Sequence, residues 1–168
     1  GAATFGNQTF SSNNGSEDAF IAKYDSDGNF IWVRTAHSPN NDRANGVVTD
    51  PEGNVYIVGY TYNGVQFGNY KPGLQEDDLP YAYIAKYTPA GDLAETRFFG
   101  ARNIYTEFQT LGNRIRYFEE NGNPRIMIRG TYMGEFYDWD NNYVLPEETN
   151  WRPFTLTTDL ALDILDVV

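Results

Sequence analysis

An internal repeat constrains this chain more than any other feature. Ile21-Ala22-Lys23-Tyr24 returns as Ile84-Ala85-Lys86-Tyr87, 63 residues later, and Asp27-Gly28-Asn29-Phe30 is echoed at the same spacing by Ala90-Gly91-Asp92-Leu93. Upstream, Phe5-Gly6-Asn7 recurs as Phe67-Gly68-Asn69, one residue out of phase, which is how a loop insertion reads. A second signature, Gly53-Asn54-Val55-Tyr56-Ile57-Val58-Gly59-Tyr60-Thr61-Tyr62, is echoed by residues 122–132, with a slip of register inside it. Phe154-Thr155-Leu156-Thr157 falls where a third copy of the Phe-Ile-Ala-Lys strand is expected, but keeps only its aromatic position. One copy of such a repeat cannot bury its own apolar face, so successive copies must pack against one another.

Each copy reads as short strand, glycine-centred turn, short strand. In residues 19–24, Phe20, Ala22 and Tyr24 fall on one face and Ala19, Ile21 and Lys23 on the other, the period of two that marks a strand. Asp25-Ser26-Asp27-Gly28-Asn29 supplies turn formers before Phe30-Ile31-Trp32-Val33 resumes the apolar run. Residues 45–49 with 55–62, residues 81–87 with 93–99, and residues 114–118 with 125–132 make further hairpins, the last around Glu119-Glu120-Asn121-Gly122-Asn123. Aromatic residues make up 16% of the chain, as suits an all-β protein. Only residues 159–168 can be read as a helix, and a final strand fits that tail equally well.

Charge narrows the partners. A net charge of −11 repels phosphate backbones and anionic headgroups, which excludes nucleic acid and anionic membrane surfaces. No run approaches the roughly 20 apolar residues of a membrane helix, and Gly1-Ala2-Ala3-Thr4 has no signal-peptide character. With no cysteine the chain has neither disulfides nor thiolate metal sites. Asn7-Gln8-Thr9 and Asn14-Gly15-Ser16 match the glycosylation pattern, which an Asn-rich chain reaches easily by chance.

The run from Asp18 to Trp32, followed by residues 46–61, resembles the SBBP type of repeat related to seven-bladed β-propellers and found in secreted bacterial proteins. The resemblance is close over residues 15–101 and weaker over 102–158. It implies four-stranded blades, each a Gly-Asn-Val-Tyr hairpin followed by an Ala-Lys hairpin, in a secreted or cell-surface protein, and it brings no catalytic residues. The expected architecture is an all-β partial propeller of about two and a half four-stranded blades. Residues 1–43 are then a half blade, 44–101 a complete blade and 102–168 a degenerate third. A ring needs at least about four blades, so the exposed faces call for a protein partner or for missing blades of the same protein.

Sites of chemistry are sparse. His37, the sole histidine, falls in the loop-like run Ala36-His37-Ser38-Pro39 and is read as a solvated loop residue, because no nucleophile motif accompanies it. Asp25 and Asp27 alternate as calcium ligands do, yet the equivalent turns at Asp50 and Thr88 keep the glycine and not the carboxylates, so turn geometry is the shared demand. Glu76-Asp77-Asp78 and the stretch Asp138-Trp139-Asp140 are the densest acidic spots, read as solvated loops, with calcium at Asp138 or Asp140 as the metal option. No other cofactor is expected. Tyr70, Trp139, Tyr143 and Trp151 are the candidate binding aromatics, since flat rings stack on sugars and anchor protein interfaces. The expected function is a non-catalytic module that binds protein or glycan or serves assembly. A fragment of a carbohydrate-active propeller enzyme and an architectural spacer in a surface filament or secretion complex are the alternatives.

Overall fold

The computed structural model describes residues 2–12, 15–73, 80–102, 110–138 and 143–168, and all their regular structure is β-strand. In chain order the strands are β1 (Ala2–Phe5), β2 (Gln8–Ser11), β3 (Ala19–Tyr24), β4 (Phe30–His37), β5 (Arg43–Thr49), β6 (Val55–Thr61), β7 (Gln66–Phe67), β8 (Tyr81–Tyr87), β9 (Leu93–Arg102), β10 (Thr110–Glu120), β11 (Asn123–Tyr137), β12 (Tyr143–Thr158) and β13 (Ile164–Val167). Every pairing is antiparallel.

The repeat becomes a stack of sheets. β5, β6, β8 and β9 pair in that order as one four-stranded meander. β10, β11, β12 and β13 pair in order as a second. β3 and β4 form the hairpin that precedes both, and β7 adds to the outer edge of β4. The long β11 curls away from β12 at its end, so that Glu135, Phe136 and Tyr137 pair with Arg102, Ala101 and Gly100 of β9. This joins the two meanders into a single curled sheet and gives the all-β, propeller-like architecture that the repeat implies.

The middle meander has no solvent face along its inner strands. Tyr56 and Val58 of β6, with Ala82 and Ile84 of β8, are buried against Ile126, Ile128, Phe136, Phe154 and Leu156 of the following sheet. Their neighbours Val55, Ile57, Tyr83, Ala85 and Tyr87 point the other way and are buried against Ala19, Trp32 and Ala36 of the preceding hairpin. A strand buried on both sides must be apolar at nearly every position, which explains the unbroken run from Val55 to Tyr60. Ile21 and Ile84, equivalent by repeat, both face the unit that follows them.

The turns share one design. In the hairpin between β3 and β4, the Gly28 N–H donates to the Asp25 carbonyl and the Asp25 N–H to the Asn29 carbonyl. The Asp25 carboxylate accepts from the N–H groups of Asp27 and Asn29 at 3.0 and 2.7 Å, and Gly28 takes a φ of 84°. This is a type I turn closed by a left-handed residue, which glycine adopts at least cost. Residues 50–54, 88–92 and 159–163 repeat the same backbone bonds. The last has no glycine. Leu162 takes the left-handed position at φ 66° because its side chain is fully buried among the core residues of the final sheet. Between β10 and β11 the loop is tighter, with Asn121 at 52° and Gly122 at 76°, the two-residue hairpin that Asn-Gly favours. The tail therefore folds back as β13 and not as a helix. His37, read as a loop residue, is instead the last residue of β4, held in register by Gln66 of β7.

The turn at residues 88–92 also docks onto the preceding hairpin. A side-chain carbon added at Gly91 would lie 2.8 Å from the Trp32 ring, whereas one added at Gly28 would meet open space. Both glycines have positive φ. Gly28→Ala is expected to cost about 1 kcal/mol, the left-handed penalty alone. Gly91→Ala is expected to cost at least twice that, about 2–4 kcal/mol, because overpacking adds to strain. Urea unfolding midpoints of the two variants check the difference.

Candidate functional site

Docking of this turn builds a cleft between the β3–β4 hairpin and β9. Trp32 Nε1 donates to the Pro89 carbonyl at 3.1 Å, Lys23 Nζ donates to the same carbonyl at 3.1 Å, and Arg34 Nε donates to the Gly91 carbonyl at 2.6 Å. The Arg34 guanidinium lies 5.5 Å from the Trp32 ring, and its Nη1 donates to the Val33 carbonyl. The open side is a cleft of about 560 Å³ lined by Arg34, residues 67–70, Tyr87 and residues 91–96. Asn69, Tyr70 and Asp92 are exposed at its rim. Glu95 is ion-paired with Arg97. Burial pushes the Tyr87 phenol up to about 12, against the opposing pull of Arg34, so Tyr87 presents a neutral ring.

A second polar cluster, buried, pins the connection between β4 and β5. The Asp42 side chain is almost wholly buried and accepts from the Ser38 N–H and the Thr61 hydroxyl, both at 2.5 Å. The Asp42 N–H donates to the Glu17 carbonyl at 2.6 Å, tying the connection to the segment before β3. Desolvation raises the Asp42 carboxyl above the usual range, and the bonds from Thr61 and Ser38 only partly oppose it. Asp50 goes the other way. Its desolvation is outweighed by Asn54, by the Tyr56 hydroxyl at 3.0 Å and by the charge of Lys86, which together hold it low. Nothing in the local sequence distinguishes Asp42 from an ordinary loop carboxylate. Its partner Thr61 is 19 residues away, so the one available signal is the polar Ser-x-x-x-Asp spacing in a connection between two apolar runs.

The residues singled out in the sequence do not converge. Tyr70 is half exposed and lines the cleft. Trp151 is half exposed on β12, in the other meander, next to the Arg152–Glu148 ion pair, and takes no part in that cleft. Asp138 directly follows β11. Trp139 and Asp140 lie outside the described residues, as do Glu76, Asp77, Asp78 and Asn14, and Tyr143 is described only as the first residue of β12. Among the described residues no three metal-ligating side chains cluster. In the Asp25 turn the carboxylate oxygens are occupied by two N–H groups and by the Asn29 amide at 2.8 Å, which hold its carboxyl below the usual range.

Comparison with known sequences agrees with this geometry. Residues 31–64, from β4 through β6 and the turn that follows, match the β-propeller repeat family SBBP. An uncharacterized WD repeat-containing protein of Acanthamoeba polyphaga mimivirus is 27% identical over 139 residues. That alignment covers 76% of this chain and 9% of the viral protein, so the chain spans under a tenth of that relative's length. Among the described residues there is no helix long and apolar enough to cross a membrane.

Asp42 carries a pH prediction. A carboxyl raised in the folded state adds stability that is fully present below its unfolded pKa, near 3.9, and is lost as pH rises through the folded value. The stability of the protein minus that of Asp42→Asn is therefore expected to fall between about pH 4 and pH 7. Urea denaturation at both pH values measures this difference, and a rise instead of a fall would contradict the assignment.

Proposed function

We propose that the chain is a non-catalytic, propeller-like binding module that takes a segment of a partner protein in the cleft beside Tyr70. The observation that carries this reading is the cleft itself. An exposed aromatic ring stands over a floor whose charged groups are already committed, Arg34 to the Gly91 carbonyl and Glu95 to Arg97. Binding sites of this kind pair an aromatic anchor with a few fixed polar groups. Acid–base catalysis asks for a titratable group poised in a cleft. The carboxyl that burial raises, Asp42, is instead enclosed between the strands with both oxygens occupied.

Electrostatics favours a basic partner. Asp92 is exposed at the rim and the whole chain carries a net charge of −11, so a segment presenting Lys or Arg beside an apolar residue is attracted and an acidic one repelled. The viral relative's repeat content fits a role in protein interaction. The setting we propose is secreted or at a bacterial cell surface, as the resemblance of residues 18–61 to SBBP-type repeats implies.

The experiment is a binding screen of the chain against a library of basic and acidic peptides and a panel of neutral oligosaccharides, followed by Tyr70→Ala. Basic peptides are expected to bind, with affinity falling as salt rises. Tyr70→Ala is expected to weaken them about tenfold, roughly 1.4 kcal/mol, without moving the unfolding midpoint. Binding that is indifferent to Tyr70, or confined to oligosaccharides, would overturn the peptide reading.

A further inference from the structure

Residues along one wall of the cleft beside Tyr70 follow one another without a gap. Gly91 and Asp92 belong to the turn, and Leu93, Ala94, Glu95 and Thr96 continue from it into β9. Side chains of a strand alternate between its two faces, so a strand that showed a face to the cleft would contribute every second residue. A run of neighbours means that β9 turns its edge to the cleft, and an edge is made of backbone. That edge is open. β8 holds one side of β9 from Leu93 to Phe99, and on the other side the end of β11 begins only at Gly100. Among the described residues nothing pairs with the outer side between Leu93 and Phe99. Backbone groups of a strand point alternately to its two sides, so about half of the N–H and C=O groups of this stretch face outward. At ~3.3 Å per residue the stretch is about 20 Å long, room for a strand of ordinary length.

The fold itself already adds strands to such edges. β7 pairs with the outer side of β4 at Ala36 and His37, and Glu135, Phe136 and Tyr137 of β11 pair with the outer side of β9 at its far end. Each addition covers only the last residues of the strand it joins. A strand laid on the remaining edge of β9 continues both faces of the sheet. Leu93 and Phe98 pack toward the β3–β4 hairpin beside Tyr83 and Tyr87, with the Phe67 ring edge-on to Phe98 at 6.1 Å. Glu95 and Arg97 lie on the opposite face, ion-paired with each other. Every second side chain of the added strand therefore falls on the side of Phe67 and Tyr70, where an apolar group is buried best. Those between them fall on the side of Glu95.

We infer, resting on the cleft beside Tyr70 as the partner site, that the partner segment binds as an added β-strand on the outer edge of β9 between Leu93 and Phe99, with apolar residues alternating with Lys or Arg. In this mode main-chain hydrogen bonds supply affinity, and the pockets for alternate side chains supply specificity. The apolar set meets Phe67 and the Tyr70 ring. The basic set is drawn by Asp92 at the rim and by the net charge of −11.

The tightest basic peptide from the screen is resynthesised with one backbone amide N-methylated at a time, and the exchange of the protein's amide protons is followed by nuclear magnetic resonance with and without the parent peptide. Methylation at every second position is expected to weaken binding about tenfold, the loss of one main-chain bond, and methylation at the positions between is expected to leave it nearly unchanged. The modification lies on the peptide, so the folding of the protein is not at stake. Alternate amides among residues 93–99 are expected to exchange fast in the free chain and about tenfold or more slowly in the complex. A peptide that binds and is weakened by Tyr70→Ala, but shows no alternation on methylation and leaves these amides exchanging as before, overturns strand addition while the cleft remains the partner site. If no basic peptide binds at all, both readings fall. Protection of all the amides from 93 to 99 in the peptide-free chain also overturns strand addition, whether the chain sediments as a monomer or as a dimer joined at this edge.

Discussion

The structure depends on the absence of any solvent face on β6 and β8. These two strands bury alternate residues to opposite sides, Tyr56, Val58, Ala82 and Ile84 one way and Ile57, Tyr83, Ala85 and Tyr87 the other. A sheet of that kind is unstable alone, because apolar area left in water costs about 25 cal/mol per Å². It exists only between two neighbours. The hairpin β3–β4 and the sheet β10–β13 are those neighbours, and the rest of the fold follows from holding them in place.

Two devices hold them. One is backbone pairing across the joint, in which β7 adds to β4 and the end of β11 adds to β9. The other is the reach of a lysine, Lys23 to Pro89 and Lys86 to Leu160, to a carbonyl in the following unit's turn. In a type I turn closed by a left-handed residue the second carbonyl takes no part in the turn's own bonds, so it is free to accept. A charged donor makes the stronger kind of hydrogen bond. The lysine stem crosses an aromatic ring on the way, which adds a cation–π contact. The repeat Ile-Ala-Lys-Tyr is thus a joint in miniature: one face for the unit before, the other face and the lysine for the unit after.

Much of this was legible in the sequence, for a physical reason in each case. Strand alternation showed the two faces of β3 and β8, and the Asp-x-x-Gly-Asn turns announced their geometry through residue types that few other conformations demand. The turn at residues 159–163 was not legible, since Leu162 accepts a left-handed backbone only because its side chain is buried in the core, a tertiary effect no local pattern records. Asp42 was missed because its environment is assembled from Ser38, Thr61 and the Glu17 carbonyl. The placement of His37 at the end of β4 likewise depends on a distant two-residue strand, β7. For the cleft, the sequence supplied Tyr70 as a candidate aromatic but not Arg34 or Asp92 beside it, because the turn that brings them together belongs to a different unit.

The central claim is that a turn of one unit is seated on the sheet of the unit before it. Nuclear magnetic resonance tests it directly at Gly91, which packs against the Trp32 indole. The account predicts Gly91 α-proton resonances moved well upfield by the ring current, with cross-relaxation to the indole protons. Gly91 resonances at random-coil positions, with no cross-relaxation to Trp32 in the folded protein, would contradict it.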